Sequence, residues 1–239
     1  MISREVWGVV GGMGPLASAE FLKSIYEASV ALQEQDAPSV ILLSDPAFPD
    51  RTQTLLDGRE DILLGRLRTS LDQLLTLGAT RIIICCTTMH HVLSRLEPGL
   101  RVKIVSLVDV IMSRLLSGGG RRLLLCTEGS RRVRLFESHP LWACVLPYVV
   151  MPGDDDQRRV HEMIYELKSN RRSAAHTTLV EDFSAKYGVP GFVAGCTEIH
   201  LIAKSEASHL SWLDPLAALA REVAGGPAAI PTRDTAIHA

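Results

Sequence analysis

Short β-branched runs alternate along the chain with longer stretches whose apolar residues recur at helical spacing. Val6-Trp7-Gly8-Val9-Val10 reads as a buried strand closed by the turn Gly11-Gly12-Met13-Gly14-Pro15. A helix is predicted from about residue 16 to 33, then a strand over 39–43 and a proline-bearing loop over 45–51. A long helix over about 60–77, a strand over 81–85 and a short strand over 102–105 follow. Gly118-Gly119-Gly120 breaks the chain, and the order begins again. A strand over 122–126 meets the turn Thr127-Glu128-Gly129-Ser130, with a helix to about His139 and a strand over 145–151. Helices over about 157–168 and 174–187, a strand over 191–195 and a last helix over 215–223 complete the order. The tail from Gly225 is small and polar, the kind that frays. This alternation predicts the α/β class, with parallel sheets covered by helices on both faces. Ligands of such sheets sit beyond the carboxyl ends of the strands.

Two of those ends carry the same motif. Cys86-Thr87-Thr88-Met89-His90 follows one strand and Cys196-Thr197-Glu198-Ile199-His200 follows another, 110 residues later. The preceding segments also match loosely, as strand, glycine-bearing turn and helix. A duplicated half with a pseudo-twofold axis is the reading this suggests. If the halves face each other, Cys86 and Cys196 lie on opposite walls of one cleft. Inverting a carbon centre by proton transfer needs that arrangement: one base takes a proton from one face and a conjugate acid returns one to the other. A thiol can be tuned for the task by nearby donors and helix N-termini. A lone cysteine at a strand end is more often structural, but core packing has no reason to repeat the flanking Thr and His. His90 and His200 are read as helix caps, as groups that tune the thiols, or as polar surface residues. Cys85 alternates with Cys86 and points into the sheet; Cys126 and Cys144 are read as structural.

Composition narrows the class. The 239 residues suffice for one large domain or two of about 100. They are 46% hydrophobic and 22% charged, with net charge −2, which favours neither a nucleic-acid surface nor a polybasic membrane patch. No apolar run approaches the ~18 residues of a membrane span. The first residues lack the basic and apolar regions of a signal peptide, so a cytoplasmic protein is expected. Five cysteines, an odd count, argue against a disulfide scaffold. The Gly11–Gly14 turn is half of a dinucleotide fingerprint, but Ala17 fills the last glycine's place. Its backbone N–H groups are better suited to a substrate carboxylate, and the Thr127–Ser130 turn to the same task. Cys85, Cys86, His90 and His91 fit no usual zinc spacing, so no metal is expected.

Taken in order, these motifs resemble those of the aspartate/glutamate racemase family, whose members work without pyridoxal phosphate. The resemblance runs through Gly8–Ala17, Pro49-Asp50-Arg51-Thr52, Cys86–His90, Val160-His161, Ile164-Tyr165-Glu166-Leu167 and Gly195–Ile199. It implies two pseudo-symmetric doubly wound domains, here residues 1–105 plus 210–239 and residues 106–209. The active site lies in the cleft between them, and a homodimer is the usual assembly. It implies Cys86 and Cys196 as the acid/base pair, with no cofactor. Arg51 would pair with a substrate carboxylate. Met13 through its backbone, Thr88, Thr127, Thr197 and Glu198 would contact the α-carboxylate or amino group, with Thr87 and Ser130 beside them. Thr87 stands where the family usually has Asn, and Lys168 is the candidate for a side-chain carboxylate. The expected activity is racemisation of an amino acid, aspartate or glutamate. The alternatives are a related isomerase or racemase of maleate or hydantoin type, and a non-catalytic acidic amino-acid sensor.

Overall fold

A computed structural model describes residues 5–29, 33–204 and 210–225. The first half runs β1 (Val6–Gly11), α1 (Pro15–Ala28), β2 (Ser39–Ser44), α2 (Arg51–Leu56), α3 (Glu60–Thr76), β3 (Arg81–Ile84), α4 (Pro98–Arg101), β4 (Ile104–Val105) and α5 (Leu107–Gly118). The second runs β5 (Arg122–Leu125), α6 (Glu128–Arg132), α7 (Trp142–Val145), β6 (Val149–Val150), α8 (Asp154–Lys168), α9 (Ala174–Tyr187), β7 (Gly191–Ala194), α10 (His200–Ala203), β8 (Ser211–Leu213) and α11 (Pro215–Ala224). Each half builds a four-stranded parallel sheet, in orders β2-β1-β3-β4 and β6-β5-β7-β8. The two orders are the same when the second half is counted from its own first strand, so the duplication read from the cysteine motifs is a duplication of topology. Both sheets are buried on both faces, which is why their central strands are near-continuous apolar runs.

The halves exchange their last helices. One face of the first sheet packs on α3, and the other on α1 and α11 through Phe21, Ile25, Leu216, Leu219 and Val223. The helix that follows β4 instead packs on the second sheet, with Val108, Ile111, Met112 and Leu115 against Leu124, Phe136 and Val193. α8 and α9 cover that sheet's other face.

Several elements depart from the sequence pattern for local reasons. α1 stops at Ala28, before residue 33; residues 30–32, and the tail beyond Gly225, lie outside the described residues. The helix expected to reach His139 ends at Arg132, just before Arg134, which takes a positive φ of 52°. The strand expected over 145–151 is only Val149–Val150. Residues 142–145 are helical, and Pro147 sits in a 3₁₀ turn that precedes the strand. α8 begins at Asp154, because the acidic run forms its first turn, where negative charge suits the helix dipole. β8 pairs with β7, so residues 211–213, assigned above to the first half, belong to the second sheet; the chain crosses back at Asp214. No helix among the described residues is long and apolar enough to cross a membrane.

Candidate active site

Cys86 and Cys196 occupy equivalent places. Each lies just past an inner strand, β3 or β7, in extended backbone, and is the N-cap residue of a 3₁₀ turn: Thr87–Arg95 after Cys86 and Thr197–Ile199 after Cys196. Their relative exposures are 6% and 4%. Cys196 Sγ donates to Glu198 Oε2 at 2.8 Å. Burial pushes the Cys196 thiol well above the ordinary range; Glu198 and Cys86 push it further, and Lys168 opposes them.

The two histidines brace these turns from inside. The Leu107 N–H donates to His90 Nε2 at 2.9 Å, which places the ring proton on Nδ1, 3.2 Å from the Cys86 carbonyl. His90 thus joins the Cys86 turn to the start of α5, and burial holds its pKa below the ordinary value. His200 Nδ1 donates to Asp214 Oδ2 at 2.5 Å, and its Nε2 pairs with Ser24 Oγ at 3.0 Å. Asp214 caps α11, so His200 joins the Cys196 turn to α11 and α1. His90, accepting the first N–H of α5, is the helix cap read from the sequence; His200 binds two side chains and caps no helix itself; neither ring is at the surface.

Arg51 opens α2 behind its cap Asp50. Its Nη2 donates to the Met13 carbonyl at 2.8 Å, and its Nη1 to the carbonyls of Pro49 at 2.9 Å and Phe48 at 3.4 Å. Nε has no partner among the described residues. Burial acts to lower the Arg51 pKa, but Cys86, Asp50 and Glu198 outweigh it and hold the guanidinium charged. Tyr165 donates to Asp50 Oδ2 at 2.6 Å, and Lys168 Nζ lies 4.3 Å from the centre of the Tyr165 ring. His161 also lies against Tyr165, with ring centres 4.3 Å apart and planes tilted by 44°. Burial pulls the Asp50 carboxyl up, but the Gln53 N–H, Tyr165, Lys168 and Arg51 win and keep it below the usual range.

A cluster of hydroxyls ties the halves together. Thr88 Oγ1 lies 2.9 Å from Ser130 Oγ and 3.3 Å from Thr127 Oγ1, and Thr127 and Ser130 are 3.1 Å apart. Beside them α2 packs on α6 so closely that a β-carbon on Gly129 would stand 2.7 Å from Thr52 Oγ1. Across the cleft, Thr197 Oγ1 reaches Glu198 Oε2 at 3.3 Å and the Cys85 carbonyl at 3.5 Å. Thr87 Oγ1 and Glu198 Oε1 are buried without a partner among the described residues. Glu198 Oε1 faces Gly14, where a β-carbon would come within 2.2 Å.

The expected substrate and acid/base residues therefore gather in one region, linked by the Met13–Arg51 and Cys196–Glu198 hydrogen bonds, by the Lys168–Tyr165–Asp50 contacts and by the electrostatic influence of Cys86 on Arg51. Met13 meets Arg51 through its carbonyl, and the Gly12 N–H is taken by Ser18 Oγ at 3.0 Å. Cys85 and Cys126 are fully buried in the core, and burial pushes Cys126 up to about 12; Cys144, also read as structural, is exposed and lies outside the core. The sequence reading missed Asp50, His161 and Tyr165 as site residues. The signal was present for two of them: 161, 165 and 168 follow helical spacing and share one face of α8.

Fold and site together define a two-lobed α/β protein with a buried thiol just past each of the two matching inner strands. The chain belongs to the Asp/Glu/Hydantoin racemase family, whose model matches residues 10–223. The class of chemistry is thus that of a racemase, an isomerase. In fold the chain is similar to the Picrophilus torridus aspartate racemase (TM-score 0.77, 23% identity, covering 92% of this chain and 94% of that one). It is similar also to an aspartate racemase homologue from Pyrococcus horikoshii (TM-score 0.67, 23% identity, 93% and 100% covered). The glutamate racemase of Francisella tularensis subsp. tularensis SCHU S4, solved with D-glutamate, is more distant (TM-score 0.58, 13% identity, 94% and 81% covered). In sequence, 46% of the chain aligns at 30% identity with 75% of an uncharacterised Pectobacterium carotovorum subsp. carotovorum protein from the pnlA 3′ region.

Proposed function

We propose that the protein racemises a free acidic amino acid, aspartate or glutamate, by cofactor-independent proton transfer between Cys86 and Cys196. The observation that carries the reading is the equivalent placement of the two buried thiols, each just past the inner strand of its own sheet. One thiolate takes the proton from Cα and becomes a thiol. The other thiol gives its proton to the opposite face and becomes a thiolate. The charges that line the cleft support the substrate class. Arg51 and Lys168 are two cations for two carboxylates, and the unpartnered Glu198 Oε1 is an acceptor for the ammonium. The Asp50 carboxylate is already engaged by Tyr165 and the Gln53 N–H. Arg51, held rigidly by backbone carbonyls, is preorganised to stabilise the charge that develops as Cα loses its proton. A hydantoin ring brings no carboxylate to these cations.

The test is solvent-deuterium exchange at Cα, followed by NMR under reducing conditions, with both enantiomers of aspartate, glutamate and alanine. Exchange and inversion are expected for aspartate or glutamate and not for alanine. Cys86→Ala and Cys196→Ala are each expected to lower racemisation by about 10²–10⁴-fold, the usual worth of a positioned acid or base. Absence of exchange with both acidic amino acids overturns the proposal.

A further inference from the structure

The two cysteine motifs match in kind at four of their five positions: Cys86 with Cys196, Thr87 with Thr197, Met89 with Ile199 and His90 with His200. The match breaks at the third, where Thr88 in the first half corresponds to Glu198 in the second. Thr88 turns into the hydroxyl cluster and leaves Cys86 alone. Glu198, 1% exposed, accepts a hydrogen bond from the Cys196 thiol at 2.8 Å. Cys86 Sγ makes no hydrogen bond among the described residues, and the Arg51 guanidinium is close enough for the two to act on each other electrostatically.

We infer that Glu198 is a positioning residue that keeps the shared proton on Cys196, so that the free protein rests with Cys86 as base and Cys196 as acid. The catalytic consequence rests on the racemase reading; the place of the proton does not. An ionised Cys196 would set two buried anions in contact, whereas an ionised Cys86 has a cation nearby. The groups facing Cys196 are Glu198 from its own turn, Lys168 from the end of α8 and Cys86 from the opposite lobe. Lys168 acts against Glu198, but its ammonium lies over the Tyr165 ring, while Glu198 touches the sulfur. Arg51, from α2, is itself flanked by Asp50 and Glu198. In one direction the resting form then acts directly: the Cα proton goes to Cys86, and the Cys196 proton goes to the opposite face. The cycle closes when exchange with solvent removes a proton from Cys86 and returns one to Cys196. A substrate ammonium at Glu198 Oε1 offsets the carboxylate's charge and eases the release of the Cys196 proton. The reverse direction starts from the form that Glu198 disfavours.

The test needs no substrate. Iodoacetamide alkylation of the free protein, from about pH 6 to about pH 10 to bracket an ordinary thiol, is read at each cysteine by mass spectrometry of its peptide. Cys196 is expected to react with the higher pH midpoint and, at neutral pH, on the order of tenfold more slowly than Cys86. In Glu198→Gln the Cys196 midpoint falls toward that of Cys86, while Cys86 moves far less. A merely structural role for Glu198 would change the plateau rate at high pH through access, and leave the midpoint in place. Fully buried Cys85 reports unfolding, and exposed Cys144 gives the unhindered rate. Equal midpoints in the unaltered protein, Cys196 reacting first, or a Cys196 midpoint unmoved in Glu198→Gln overturns the inference. If the alkylation pattern holds and no amino acid exchanges its Cα proton, the racemase reading fails and the proton placement stands.

Discussion

Gly14 has the backbone of any extended residue, φ −127° and ψ 124°, so its torsions do not demand glycine. Its neighbour does: a β-carbon there would stand 2.2 Å from Glu198 Oε1. The clashing atom is the tip of a side chain that can swing. Gly14→Ala is therefore expected to fold with a nearly unchanged melting temperature while moving the carboxylate away from Cys196. A displacement of about 1 Å in such a site costs on the order of 10²-fold in rate. Racemisation kinetics beside thermal denaturation check this, and full activity would mean that the position of Glu198 does not matter to turnover. At this scale the sequence was informative where chemistry repeats. Cys86 and Cys196 stood out because Thr and His recur around them. Thr127 and Ser130 stood out as polar residues closing a strand. Asp50 did not, because its partner Tyr165 lies 115 residues away and no local pattern joins them.

His90 acts between elements, from a 3₁₀ turn after β3 to the first turn of α5, whose Leu107 N–H it accepts. Ser106 accepts the Asp109 N–H of the same turn. Removing the ring in His90→Ala strands a buried N–H and is expected to cost about 1–3 kcal/mol from that loss alone. The same bond has a pH signature. Burial depresses the folded-state pKa of His90 below its unfolded value, so the unfolded chain binds more protons between the two. Stability is then full above the unfolded value, about 6.5, and declines as pH falls from there toward the folded value. His161, also depressed by burial, adds in the same sense. Urea unfolding at several pH values should show the decline, and His90→Gln should lose part of it. An unchanged pH slope would mean that His90 is not the titrating group. Legibility among elements follows length and punctuation. The central strands and α3 were clear from long apolar patterns. β8 has three residues, too few to show a period, and α2 was hidden behind the prolines before Asp50. Val145, Val149 and Val150 looked like one strand because their β-branched character outweighed Pro147 between them.

Across the whole molecule, the exchange of α5 and α11 decides how the lobes come apart. The buried face of α11 carries Leu216, Leu219 and Val223 against the first sheet, although α11 follows a strand of the second. Burying three such side chains is worth about 5–9 kcal/mol in total, which is comparable to the whole stability of an ordinary domain. The first lobe therefore lacks a complete core without the end of the second, and the second lacks α5 without the first. His200–Asp214 and the Thr88–Thr127–Ser130 cluster fasten the same junction at each side of the cleft. Two lobes so joined should unfold together. Calorimetry is expected to give one transition whose measured enthalpy equals the van't Hoff enthalpy. A chain ending at Leu213 should lose near-UV circular dichroism throughout, not only in one lobe. Two resolved transitions, or a truncated chain with an intact second lobe, would show that the lobes are independent. The cleft would then be free to open by rigid rotation of one lobe on the other. A single transition instead confines opening to small shifts at the α2–α6 contact and the hydroxyl cluster, beside the thiols of the proposed two-base mechanism.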